Sequence, residues 1–139
     1  MTSLSFPDVN VWLALASPDH VHKLLALNWL DRQSGMIAMT RATQKSFLRL
    51  VTTAAVMNDK PLTNEDAWIA YDRFFADDRF AFFPEPPEIE RFFRIHSVNS
   101  LSAPKLWADA WLLAFAHAAG GTVITFDRTL AQRGAHCLL

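Results

Sequence analysis

The stretch "TVITFDR", residues 122–128, is a short apolar run closed by an acid. Thr122 to Phe126 is rich in β-branched and aromatic residues, follows Gly120-Gly121, and leads directly into Asp127. A run of that length with those boundaries predicts a strand buried on both faces, as in a parallel sheet. Ahead of it, "KLWADAWLLAFAHAA" (105–119) has the length and composition of a helix. Pro104 suits its first turn, and the glycine pair supplies its stop.

Outward from that unit the pattern repeats. Leu4 to Phe6, bounded by Pro7, predicts a first strand, and Val9 to Ala16 a short helix with Asp8 at its N-cap. Pro18-Asp19 opens a second helix in which Val21, Leu24, Leu25 and Trp29 form an apolar face, ended by Gly35. "MIAM" (36–39) is a second strand. Thr40 or Thr43 caps the next helix, which buries Phe47, Leu48, Leu50 and Val51. "TNED" (63–66) matches a capping box and starts a helix carrying Trp68, Ile69 and Tyr71. "FAFF" (80–83) is a third strand, "PEPP" (84–87) a turn, and Glu88 to His96 a helix. Strands alternating with helices imply the α/β class, with a parallel sheet.

Composition bounds the rest. The 139 residues make one domain, 1–139, with 51% hydrophobic and 19% charged residues, a core-rich balance. A net charge of −1 means that nucleic-acid binding needs a local basic patch rather than a global field. The single cysteine, Cys137, excludes an internal disulfide framework and fits a reducing compartment. The first basic residue is Lys23, so no signal peptide is expected. Asp109, His117 and Gly120-Gly121 break the apolar stretches, so no transmembrane helix is expected either. The expected address is the cytoplasm.

Three acids then need explaining. Ligands of parallel α/β sheets gather beyond the carboxyl ends of the strands. Asp8 leaves the first strand there, Asp127 leaves "TVITF", and Asp109 lies early in the preceding helix. Carboxylates gathered on one edge raise one another's pKa values, and a divalent cation removes that cost. Hard oxygen ligands suit Mg²⁺ or Mn²⁺. Each acid also has a plainer explanation. Asp8 alone reads equally as an N-cap, and Asp127 as a turn or cap residue. Asp109 resists that treatment, because Trp107, Ala108, Ala110 and Trp111 surround it with apolar residues, and a buried acid has a partner.

Arg41, Lys45 and Arg49 recur every four residues on one helix face. They form either a solvated face or a phosphate-positioning stripe, and Lys105, Arg128 and Arg133 add positive charge near the acidic edge. His20 and His22 read as surface or packing residues, and His117 as a helix C-terminal residue. Most of Trp12, Trp29, Trp68, Trp107 and Trp111 are expected in the core.

Together, "FPDVNVWLALASPDH" (6–20), "RATQKSFLRLVTTAAVM" (41–57), "PLTNEDAWIAYDRFFADDRFAFFPEPP" (61–87) and "SAPKLWADAWLLAFAHAAGGTVITFDR" (102–128) resemble PIN-domain proteins of the VapC toxin type. The resemblance runs from about Leu4 to Leu130. It implies a single PIN-like α/β/α sandwich with a central parallel sheet of four or five strands. It also implies Mg²⁺-dependent (or Mn²⁺-dependent) cleavage of RNA, a homodimer, no membrane, and a cognate VapB-like antitoxin. Residue by residue, the first family acid falls on Asp8, with Asn10 as the nearby supporting polar residue, and the later acids on Asp109 and Asp127. These three are the implied metal ligands and catalytic carboxylates.

Gln44 stands where most PIN domains carry Glu, although a subset of VapC-like proteins shares "TQ" there. Gln44 can orient a water or phosphate but brings no charge, which implies one metal ion. Ala108 stands where similar proteins often have Thr. RNA contacts are expected from Arg41, Lys45, Arg49, Lys105 and Arg128. The implied function is a Mg²⁺-dependent endoribonuclease toxin of a type II toxin–antitoxin pair. The alternative is a catalytically weak PIN-like module that binds RNA or protein. A hydrolase of small phosphate esters ranks last, since the chain has neither a Gly-rich phosphate loop nor a DxDxT-like motif.

Overall fold

Five parallel strands form the centre of the structure, a computed structural model that describes residues 3–139. The chain runs β1 (Leu4–Pro7), α1 (Val9–Ala16), α2 (Lys23–Asp31), β2 (Met36–Met39), α3 (Arg41–Val51), α4 (Asn64–Phe74), β3 (Phe80–Phe82), α5 (Ile89–Ser97), α6 (Leu106–Ala119), β4 (Thr122–Thr125), α7 (Arg128–Ala131) and β5 (His136–Cys137). The sheet order is β3-β2-β1-β4-β5. From β1 the chain winds outward through β2 to β3, then returns to the other side of β1 for β4 and β5. The β1/β4 boundary is therefore the topological switch point, where open parallel sheets form their ligand crevice.

Two apolar layers cover the sheet. Trp12, Trp29, Ile37, Met39, Phe47, Phe80 and Ile124 form one core with α1 to α4. Phe6, Val123 and Leu130 pack with Leu112, Leu113 and Phe115 of α6 on the opposite face. The α/β/α sandwich follows from strands that bury both faces. Each fully buried large side chain here contributes roughly 1.5–3 kcal/mol of transfer free energy.

Capping sets the helix starts. The Thr40 side chain accepts from the Thr43 amide at 3.2 Å, and Thr63 accepts from Asp66 at 3.0 Å. Gly120 ends α6 at φ +74°, a left-handed conformation that glycine adopts without strain.

Some expectations need correction. The second helix starts at Lys23, not at Pro18-Asp19, and Val21, Leu24 and Leu25 are exposed. Ala26 and Trp29 carry that helix's burial instead. Only Val21 lies in the turn before the helix; Leu24 and Leu25 are inside α2 but on its solvent side. Pro104 lies in the turn before α6 rather than in its first helical turn. Leu48 and Leu50 are only half-buried. Of the five tryptophans, Trp12 and Trp29 are buried and Trp111 partly so, whereas Trp68 and Trp107 are exposed. The fifth strand is the two-residue β5, which no apolar run announces.

Candidate active site

Asp8 follows β1 and caps α1. Its Oδ1 accepts from the amides of Asn10 and Val11 at 3.1 and 3.3 Å. The other oxygen, Oδ2, accepts from the hydroxyl of Thr125, the last residue of the neighbouring strand β4. Thr125 is fully buried, and its Oγ1 also accepts from the Asp127 amide at 2.9 Å. A single hydroxyl thus ties the exit of β1 to the exit of β4 across the switch point. Asp127 caps α7, with Oδ1 accepting from the Thr129 amide at 2.8 Å and hydroxyl at 2.6 Å. Sequence reasoning assigned no role to Thr125. No spacing signals it, because β4 ends at Thr125 and Asp127 is already the N-cap of α7.

Asp109 approaches from the first turn of α6 and is half-buried. Trp107 is 57% exposed and Ala108 is exposed, so the expected apolar enclosure of Asp109 forms only on the Ala110 side.

The electrostatics join the three acids. Burial pushes the Asp8 carboxyl up, the Thr125 hydrogen bond partly offsets this, and Asp109 adds to the rise. Burial also raises Asp109, followed by the charge of Asp127, while Arg133 pulls it down. Asp127 is held below the usual carboxylate range by its Thr129 hydrogen bonds. The edge therefore carries two reluctant carboxylates and one ready one.

Among the described residues, no three His, Cys, Asp or Glu side chains stand as a ready-made metal-binding group. The donor chemistry nevertheless fits a hard divalent cation, because Asp109 adds to the rise of Asp8 and Asp127 to that of Asp109, a mutual repulsion of carboxylates that such an ion relieves.

Gln44 is buried in α3, and its Oε1 accepts from Arg41 Nη1 at 2.6 Å. Its amide also lies close enough to the Tyr71 hydroxyl to lower that group's pKa against the rise caused by burial. Asn10 supports Asp8 through its backbone amide, and its side chain is exposed. Arg41, Lys45 and Arg49 are all exposed on α3. Only Arg41 stands at the helix start beside the sheet edge. At about 1.5 Å per residue, Lys45 and Arg49 lie roughly 6 and 12 Å farther down the axis. Lys105 precedes α6 and Arg128 opens α7, both exposed and each near an acid in sequence. The rings of His20 and His22 pack against Phe126, as packing residues. His117 pairs with His96 at 3.1 Å.

Residues 5–135 match the sequence profile of the PIN domain. The chain is 43% identical over 133 residues to Ribonuclease VapC41 of two strains of Mycobacterium tuberculosis, with 91% of each chain covered. Among solved structures it is similar to Mycobacterium tuberculosis VapC20, described as a Sarcin-Ricin loop cleaving toxin (TM-score 0.67, 13% identity, 94% and 95% of the two chains covered). It is also similar to VapBC2 from Rickettsia felis, solved bound to a DNA fragment from its promoter (TM-score 0.66, 13% identity, 94% and 92% covered). These two likenesses concern the fold.

Proposed function

The chain belongs to the PIN-domain family, and on that premise we propose that it is a divalent-metal-dependent endoribonuclease toxin. The observation that carries this reading is the Asp8–Thr125–Asp127 linkage at the β1/β4 switch point, with Asp109 coupled to both acids. The ribonuclease named among its relatives, identical at 43% of positions, supports the same reaction class.

Asp8, Asp109 and Asp127 would hold one Mg²⁺ or Mn²⁺, which supplies Lewis-acid polarisation of a phosphate oxygen and a lowered pKa for attacking water. The chain's own groups do the positioning. Thr125 fixes the Asp8 carboxylate, Asn10 and Val11 hold its second oxygen, and Thr129 fixes Asp127. Arg41, Lys105 and Arg128 offer exposed cations for RNA phosphates. Lys45 and Arg49 extend that charge along α3. In the cell the protein works in the cytoplasm, as a homodimer silenced by a VapB-like antitoxin. Among the described residues no helix is long and apolar enough to cross a membrane.

The test is cleavage of a structured RNA by the purified protein in Mg²⁺ or Mn²⁺ and in EDTA. Cleavage that needs the cation and disappears in a folded Asp109→Asn protein is expected. Undiminished cleavage by Asp109→Asn overturns the assignment, and RNA binding in EDTA without cleavage in either metal favours a binding module.

A further inference from the structure

Gln44 stands where the family resemblance implies an acid, and its side chain is already engaged. It is buried, and its Oε1 accepts from Arg41 Nη1 at 2.6 Å, within the first turn of α3. The same guanidinium lies over the Phe82 ring, 4.6 Å from its centroid. An acceptor at one nitrogen and an aromatic ring beside the carbon restrict a planar cation to one orientation. The rest of the group is free. Arg41 is exposed, and the ion pairs among the described residues, Arg79–Asp77 and Arg94–Glu90, do not use it.

This cation stands on the functional edge. Parallel pairing sets Ser5 opposite Ile37, and that register carried to the strand exits sets Asp8 level with Thr40, the residue before Arg41. Phe82 closes β3, which lies on the far side of β2 from β1. Arg41 is therefore turned along the edge and away from Asp8, toward a phosphate beside the scissile one. The residue type at position 44 matters for its charge. A carboxamide oxygen orients the guanidinium and leaves its positive charge for a ligand. A carboxylate three residues on in the same helix would pair with it and cancel that charge.

We propose that Gln44 is a positioning residue that holds Arg41 to receive an RNA backbone phosphate next to the scissile bond, and that position 44 gives no ligand to the metal. The inference rests on the ribonuclease reading for its substrate class.

The experiment titrates the full-length protein in EDTA with a short single-stranded RNA of mixed sequence, read by fluorescence anisotropy over a series of salt concentrations. The slope of log K against log salt counts neutralised phosphates, at about 0.7 per contact on a single strand. Arg41→Ala should lower that slope by about 0.7 and weaken low-salt binding about tenfold. Arg41→Lys keeps the charge and loses the fork, so the slope should hold while affinity falls about fivefold. Gln44→Ala should behave like Arg41→Lys. Gln44→Glu should lower the slope as Arg41→Ala does, and should change nothing further once residue 41 is already Ala. Gln44→Glu should also bind no more Mn²⁺ than wild type.

A wild-type slope in Arg41→Ala overturns the proposal. So does a Gln44→Glu effect that persists in the Arg41→Ala background, or an additional Mn²⁺ ion bound by Gln44→Glu. Arg41 is exposed, so its two variants keep the test readable if a substitution at buried Gln44 unfolds the chain. Metal-dependent RNA cleavage with a wild-type slope in Arg41→Ala refutes the clamp and leaves the ribonuclease reading standing. Slopes that shift as stated while no RNA is cut in Mg²⁺ or Mn²⁺ support the phosphate clamp and remove the ribonuclease reading.

Discussion

Replacing Thr125 by Val removes one hydroxyl from the centre of the site and changes little else. The side chain is fully buried, and Val fills nearly the same volume. Two hydrogen bonds go with the hydroxyl, namely its donation to Asp8 Oδ2 and its acceptance from the Asp127 amide. A hydrogen bond to a charged group contributes about 1.5–3 kcal/mol net, and a neutral one about 1 kcal/mol. The Asp127 amide is close enough to solvent to recover part of its loss, so the total is roughly 3 kcal/mol. For a chain of this length that lowers the melting temperature by roughly 10 °C. Thr125→Ser is the control, because it keeps the hydroxyl and loses one methyl group, about 1 kcal/mol.

A second readout separates positioning from packing. The Thr125 hydrogen bond is the largest influence holding the Asp8 pKa down against burial. In Thr125→Val the Asp8 carboxyl rises further, so the acid limb of the pH–rate profile moves to higher pH. In Thr125→Ser it stays where it is. Thermal melts with pH–rate profiles for the three proteins decide the matter. A Thr125→Val protein that melts within about 2 °C of wild type, with an unmoved acid limb, refutes the hydroxyl bridge.

Asp109 is raised by burial and by Asp127, so its ionised form costs folded-state stability above its native pKa, and that cost fades as pH falls toward the unfolded value. Asp109→Asn should therefore melt higher than wild type in EDTA at neutral pH, with the difference shrinking on acidification. Arg79 Nη1 donates to the Leu30 and Gln33 carbonyls at 2.7 and 2.8 Å, and the guanidinium pairs with Asp77. Arg79→Ala should cost about 2–4 kcal/mol in urea unfolding while leaving cleavage per folded molecule unchanged. A Cβ at Gly121 would come within 2.7 Å of the Leu4 carbonyl and the Phe6 ring, whereas at Gly120 the space is open and only the positive φ resists. Gly120→Ala should cost about 1 kcal/mol and Gly121→Ala more, read from urea midpoints.

Strand exits were the legible part of this chain. "TVITF" and the segment before Asp8 are apolar runs closed by acids, and that pattern carries the parallel sheet, whereas a site at its edge was expected only once the family resemblance was added. Thr125 was hidden because a threonine inside a buried run reads as a β-branched strand residue. Its hydroxyl acquires meaning only when β1 is known to lie beside β4. The start of the second helix was misplaced because Val21, in the turn, keeps helical spacing with Leu24 and Leu25 of α2, and spacing cannot see exposure. Asp109 was singled out for an enclosure that half exists, since Trp107 turns to solvent. Gln44 looked like a weakened metal position, and its engagement by Arg41 is an i, i+3 contact within α3 that helical spacing allows but does not single out.

The most direct test of the central claim is equilibrium titration of Mn²⁺ against wild type, Asp8→Asn, Asp109→Asn and Asp127→Asn, with the bound ion counted by paramagnetic resonance. One ion per wild-type chain is predicted, with affinity lost in all three variants. Equal Mn²⁺ binding by wild type and the three variants would contradict a metal centre built from Asp8, Asp109 and Asp127.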